Sequence, residues 1–192
     1  NILSIGAKVP DKLVTNEDLE KIVDTSDEWI KSRTGIKHRH VLTDNETPSS
    51  LGVEAAREAL TRSTIGPEEI DLVVVATNVS DMPIPGSSPF ITRELDLTPD
   101  VPFFDLKAGC SGFIYAIDVA SQMIHGSKYE YVLIIGLEAL SRVVNWSDRS
   151  TCVLFGDGAG ASVIGSHGKR GQILSTSIYG DPSKAKLIKM EG

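Results

Sequence analysis

The sequence predicts an α/β layer fold: a mixed, mainly parallel sheet flanked by helices. Two observations carry this. Several runs are apolar throughout rather than alternating, as in "LVVVA" at 72–76 and "YVLIIG" at 131–136, the pattern of strands buried on both faces. Between such runs lie stretches with helical spacing and helix-start signals, so strands and helices alternate along the chain. With 192 residues, 41% of them hydrophobic, there is enough chain to bury one sizeable core.

The elements come in order. Residues 2–9 read as a first strand ended by Pro10. "TNEDLEKIV" opens a short helix, with Thr15 or Asn16 as N-cap and acidic residues in its first turn. "TSDEWIKSRTG" repeats that grammar: Ser26 caps, Asp27 and Glu28 fill the first turn, and Gly35 stops the helix. Residues 49–63 form an amphipathic helix with Leu51, Ala55, Ala59 and Leu60 to one side. "IDLVVVATN" is a buried strand, "DMPIPGSSP" a Pro/Gly loop, "ITRELDL" a short helix and "VPFFDLKA" another buried strand. A long helix covers 112–125, and "YEYVLIIGLEAL" is a third buried strand. "TCVLFGD" and "GASVIGS" read as two strands around a Gly-rich turn, and "GQILSTSIYG" as a last strand. No repeat, low-complexity tract or interdomain linker interrupts the pattern.

Composition narrows the function classes. A net charge of −7 argues against nucleic-acid binding, which needs surplus Lys and Arg for phosphate. No apolar run approaches the roughly 20 residues of a membrane span. The opening "NILSIGAKVP" lacks the features of a signal peptide and reads as a strand that has lost an initiator Met. The two cysteines, Cys110 and Cys152, form no CxxC and no Cys/His cluster, so neither a metal site nor a disulfide scaffold is expected, and a reducing cytoplasm is.

Cys110 carries the chemistry. In "LKAGCSGF" a thiol sits where a strand gives way to a helix. The first amides of a helix lack intrahelical partners and favour a nearby anion, so a thiolate is stabilised there. Gly109 and Gly112 remove side chains on either side, opening an approach for a substrate carbonyl. The N–H of Cys110 itself is placed to donate to an oxyanion. The alternative is a small buried hydrophobe, and that is the reading for Cys152 within "TCVLF". Trp29 and Arg33 are four apart on one helix face. They offer a flat surface for a purine and a cation for phosphate, or else an anchor to the core beside a solvated ion pair.

Three blocks together resemble the β-ketoacyl-acyl-carrier-protein synthase III family, which has the thiolase fold. They are "DLKAGCSGFIYAI", "VDTSDEWIKSRTGIKHRH" and "SDRSTCVLFGDGAGASVIG", in the family's order. The resemblance implies that Cys110 is the acyl-accepting nucleophile. It implies that Trp29, Arg33 and Arg149 hold coenzyme A, with the adenine between Trp29 and Arg149, and that Thr25 adds a polar contact. It further implies a decarboxylative condensation of a short acyl-CoA, commonly acetyl-CoA, with malonyl-acyl-carrier protein, initiating type II fatty-acid synthesis. No cofactor is implied beyond the coenzyme A thioester, and a homodimer is expected. Gly109 stands where many relatives have Ala. Ile84 stands where an aromatic residue can reach across the dimer, which leaves primer length open. Rival readings are hydroxymethylglutaryl-CoA synthase, a biosynthetic ketosynthase, or a non-catalytic acyl-CoA-binding half-domain.

Other motifs are set aside. Gly156, Gly158 and Ala161 satisfy GxGxxA, but "ASVIG" reads as a strand where a helix would be needed, so no dinucleotide site is expected; Asp157 is expected to pin the turn. None of His38, His40, His125 and His167 lies in a catalytic motif; the first two are expected to be exposed. The family's catalytic His and Asn belong to its second half, in motifs absent here. Residues 1–180 are expected to form the first of two similar halves. Residues 181–192 would open the second, with chain missing between about Asp181 and Leu187.

Overall fold

The computed structural model describes residues 1–126, 128–168 and 171–189. A five-stranded sheet forms its centre. Its strands are β1 (Ile2–Lys8), β4 (Leu72–Ala76), β5 (Phe103–Leu106), β6 (Tyr131–Ala139) and β7 (Asp157–Gly165), in the order β1-β7-β6-β4-β5. β4 pairs in parallel with both β5 and β6, whereas β7 is antiparallel to β6 and to β1. All the strands but β7 therefore run one way, as the apolar runs predicted.

The alternation within β4 shows why such a strand is apolar throughout. Val73 and Val75 pack with Ala55, Ala59 and Ile91, against helices α3 (Pro48–Ser63) and α4 (Ser88–Glu94). Leu72, Val74 and Ala76 pack on the other face with Ala116 and Ala120 of α5 (Gly112–His125). A strand sandwiched between helix layers has no polar side to show. Gly6 lets α3 lie directly on β1, since a Cβ there would stand 2.2 Å from the Ala55 carbonyl oxygen.

A smaller unit, not foreseen, sits beside the sheet. β2 (Lys12–Thr15) and β3 (His38–Val41) pair antiparallel. Helices α1 (Asn16–Glu20), α2 (Asp27–Thr34) and α6 (Arg149–Cys152) pack with them around Leu19, Ile30, Cys152 and Val153. The expected caps are present: Thr15 forms a capping box with Asp18, Ser26 accepts from the Trp29 amide, and Gly35 closes α2 in the left-handed conformation.

Four expectations are corrected. The "VPFFDLKA" strand is not buried: β5 is an outer strand with one neighbour, and Phe103 is 44% exposed. "TCVLFGD" is not a strand. Asp148 caps α6 through the Ser150 amide, and Cys152 and Val153 turn into the smaller core instead of the sheet. The glycine-rich stretch after it is consequently not a turn between strands but lies within the single strand β7. "GQILSTSIYG" forms no strand. It runs along α5, where the Tyr115 hydroxyl donates to the Tyr179 carbonyl and the Thr176 hydroxyl to Asp118. Residues 182–184 form one 3₁₀ turn. Of the stretch read as opening a second half, residues 190–192 lie outside the described residues.

Candidate active site

Parallel strands end on the same edge, and in this sheet those ends gather polar groups. β4 runs out at Thr77 and Asn78, β5 leads through Lys107 and Ala108 into a 3₁₀ turn at Gly109–Ser111, and β6 carries Glu138 one residue before its end. Cys110 is the middle residue of that turn. It is a free thiol and exposed, so it is not a core hydrophobe. α5 begins directly after it, with no side-chain cap and no acidic residue in its first turn. The amides of that first turn are thus not engaged by a capping side chain.

Gly109 has φ of +59°, in the left-handed region, with open space around its Cα. An alanine here would fit the space but strain the backbone, at a cost of roughly 1–2 kcal/mol. The Gly109 amide donates to Asn78 Oδ1 at 3.2 Å. Asn78 in turn donates to Glu138 through its backbone amide, at 2.8 Å, and through its side-chain NH2, while the Val79 amide reaches the second Glu138 oxygen at 3.3 Å. Neither Asn78 nor Glu138 was singled out from the sequence. Their signal was available: each is a polar residue closing an otherwise apolar strand that points at the cysteine turn.

The predicted tryptophan and arginines come together on the smaller unit. The Arg33 guanidinium lies over the Trp29 ring, 5.0 Å from its centroid, and Arg149 lies over the same ring at 4.8 Å. Trp29 also packs its partly buried side against the small core, while Arg33 lies over its ring. Arg149 opens α6 and donates to the Asp24 carbonyl at 2.8 Å. Thr25 comes next, half-buried, its Oγ1 enclosed without a hydrogen-bond partner.

Arg39, another residue the sequence did not flag, holds this unit in place. It is 5% exposed, and its guanidinium donates to Asn16 Oδ1 and to the carbonyls of Val14 and Val153. Asn16 passes the connection on to Asp27 and the Ile36 carbonyl. The helix that carries Trp29 and the turn after Arg149's helix are thereby joined. Asp157 pins no turn of its own, since it starts β7; its carboxylate instead accepts from the amides of Leu42 and Ser141, each at 2.8 Å, and from the Ser141 hydroxyl.

The remaining candidates separate cleanly. Cys152 is fully buried, and burial pushes its thiol up, with Asp148 adding to the shift and Arg39 opposing it. His38 is exposed; His40 is only half so, its Nδ1 against the Pro10 carbonyl, because β3 turns it toward β1's end. His125 bonds the Ser121 carbonyl within α5, and His167 is exposed in a loop. Ile84 is 85% exposed on the loop after β4. Among the described residues no group of His, Cys, Asp and Glu could hold a metal ion, and no helix is long and apolar enough to cross a membrane.

Comparison with known proteins points the same way. The family profile for 3-oxoacyl-[acyl-carrier-protein (ACP)] synthase III matches residues 104–182, the stretch that includes Cys110. A β-ketoacyl-[acyl-carrier-protein] synthase III from Thiobacillus denitrificans is 45% identical over 188 residues, 98% of this chain and 59% of the relative. The solved structure of the synthase III from Aquifex aeolicus VF5 superposes with a TM-score of 0.91 at 46% identity, over 95% of this chain and 58% of that one. The likeness is to β-ketoacyl-acyl-carrier-protein synthase III. The priming β-ketosynthase of the R1128 polyketide pathway is also similar, with a TM-score of 0.82 at 38% identity, over 86% of this chain and 49% of that one. The synthase III likeness extends over almost all of this chain, yet the chain spans less than three-fifths of the length of that first curated relative. Its sheet and helices are those of the thiolase-like fold.

Proposed function

We propose that Cys110 accepts an acyl group from a short acyl-CoA, commonly acetyl-CoA, and passes it to malonyl-acyl-carrier protein in the initiating condensation of type II fatty-acid synthesis. The observation that carries this is an exposed thiol in the turn between β5 and an uncapped helix start, at the strand edge where parallel sheets bind ligands. The sulfur attacks the thioester carbonyl and the coenzyme A thiol leaves with a proton. Malonyl-acyl-carrier protein then loses CO2, and the resulting carbanion attacks the acyl-enzyme, releasing the Cys110 sulfur and a 3-ketoacyl-carrier protein. The cysteine splits one hard step into two easier ones. The Cys110 amide donates to the oxyanion of each tetrahedral intermediate. No metal or redox group takes part.

Trp29, Arg33 and Arg149 bind coenzyme A in this reading, with Thr25 beside them. A purine sandwiched between Trp29 and Arg149 needs about 3.5–4 Å on each face. Arg149, now 4.8 Å from the ring, withdraws by roughly 2–3 Å to admit it. The resemblance calls for an enolate-stabilising His and Asn, and this reading gives that role to none of the described histidines: His40 and His125 bond main-chain carbonyls, and His38 and His167 are exposed. A homodimer fits the outer strand β5, which shows Phe103 along an edge that no strand among the described residues covers. A reducing cytosol keeps the thiol free.

The test is transfer of radiolabelled acetyl from acetyl-CoA to the protein. Labelling at Cys110 that disappears in Cys110→Ala supports the proposal; label retained in that variant overturns the nucleophile. Consumption of malonyl-acyl-carrier protein fits the initiating synthase. Consumption of acetoacetyl-CoA instead would place the chain with hydroxymethylglutaryl-CoA synthase. A chain that binds acyl-CoA without being acylated would be the binding half-domain. The likeness to a polyketide priming ketosynthase favours one second reading, the same chemistry feeding a biosynthetic pathway.

A further inference from the structure

We propose that Asn78 and Glu138 are a positioning pair that fixes the Cys110 turn for acyl transfer, an inference that rests on the function proposed above. The turn depends on Gly109 holding φ at +59°, a conformation its neighbours in the chain do not impose. What holds it from outside is the bond from the Gly109 amide to Asn78 Oδ1. That bond requires the Asn78 amide to point its oxygen, not its nitrogen, at Gly109. Glu138 decides the orientation: one carboxylate oxygen accepts both the Asn78 side-chain NH2 and the Asn78 backbone amide, so a flipped amide would set oxygen against oxygen. The Val79 amide takes the other carboxylate oxygen.

Each link sits on a stiffer one. Glu138 belongs to β6, which is hydrogen-bonded to strands on both sides, whereas Asn78 and Gly109 lie in connecting segments. The chain of bonds therefore runs from the middle of the sheet, through the end of β4, to the residue before the nucleophile. It also occupies the Gly109 amide, which leaves the oxyanion to the amides after it. Both Glu138 oxygens accept hydrogen bonds in this arrangement, from Asn78 and from the Val79 amide, so its assigned role is to act through Asn78.

The test is the rate at which iodoacetamide alkylates Cys110 in the full protein, followed by peptide mass spectrometry, alongside steady-state acyl transfer from acetyl-CoA. Asn78→Ala and Glu138→Ala should each slow alkylation by roughly tenfold or more, and the double variant should be no slower than the slower single, the signature of one coupled unit. Glu138→Gln keeps an oxygen for Asn78 and should recover the rate to within about threefold of wild type. In acyl transfer the loss should fall on kcat, with the acetyl-CoA KM within about twofold. Exchange of the Gly109 amide with deuterium needs no Glu138 variant; it should quicken at least about tenfold in Asn78→Ala. Additive single losses, an Asn78→Ala rate within twofold of wild type, or an unchanged Gly109 exchange would each overturn the pair. If wild type alkylates and shows the coupling but is never acylated, the positioning stands and the proposed function fails.

Discussion

Replacing Trp29 by alanine should weaken coenzyme A binding by an amount the structure lets one work out. Base–aromatic stacking contributes about 1–3 kcal/mol per base. In the free protein the ring already carries two guanidiniums, at 5.0 and 4.8 Å, each worth about 0.5–1 kcal/mol at an exposed site. Binding gives up the Arg149 contact to admit the purine but leaves Arg33 where it is. The net loss on Trp29→Ala is then about 0.5–2 kcal/mol, or roughly a 2- to 30-fold rise in Kd. Trp29→Phe keeps a smaller aromatic face and should fall between. Isothermal titration with coenzyme A measures this, and titration with pantetheine, which lacks the adenine, isolates the stack. Because Trp29 also packs on Leu19, Ile30 and their neighbours, a thermal melt of each variant must show a folded protein. A coenzyme A Kd within twofold of wild type in a folded Trp29→Ala, or an equal loss for pantetheine, would refute the stacking and leave Trp29 as an anchor alone.

The same structure sets other outcomes. Gly6→Ala should cost about 3 kcal/mol or more in urea unfolding, the top of the overpacking range, because its Cβ would meet α3 backbone at 2.2 and 2.5 Å; a loss under 1 kcal/mol would mean the helix can slide. Asp157→Ala orphans the amides of Leu42 and Ser141 and should cost about 2–5 kcal/mol by the same measurement. Acid should unfold the protein in part through its helix caps. Asp18 is held down from 3.8 to about 2, chiefly by its bond from Lys21 and then by the Thr15 amide. Asp27, by Lys31 and Asn16, and Asp148, by the Ser150 and Thr151 hydroxyls, are held down too. Carboxylates depressed in the folded state contribute fully above their unfolded pKa and stop contributing as pH falls through the folded one. The melting temperature should thus hold steady from neutral pH to about 5 and drop between about 4 and 2. Asp18→Asn should lower it near neutrality and shrink the drop; an unaltered acid profile would remove Asp18 from the account.

Much of the local structure was legible in the sequence, though the helix that Asp148 caps was not. The cap at Ser26, the first cap narrowed to Thr15 or Asn16, the stop at Gly35 and the extent of α5 all depend on neighbours within a few residues. So did the thiol at a strand-to-helix turn, and the pairing of Trp29 with Arg33 on one helix face. Arg149 was placed beside them through the family resemblance alone, since 116 positions separate it from Arg33 (149 − 33) and no local rule spans that distance.

What the order of residues could not reveal is which strand lies at the margin and which apolar run belongs to which core. "VPFFDLKA" and "LVVVA" read alike, yet one is an outer strand and the other central, because burial depends on what the chain later lays alongside. "TCVLF" left the sheet for the smaller unit because Asp148 started a helix and Arg39, far off in sequence, offered its guanidinium to the Val153 carbonyl. The bond from Glu138 through Asn78 to Gly109 is of the same kind: three segments converge only once parallel pairing has brought their ends to one edge. Sequence alone determined the chemistry of each residue and the local turns that present it, because those are set by side-chain type and short-range sterics. Tertiary structure decided which of those groups face one another, because that depends on packing that no short stretch of chain contains.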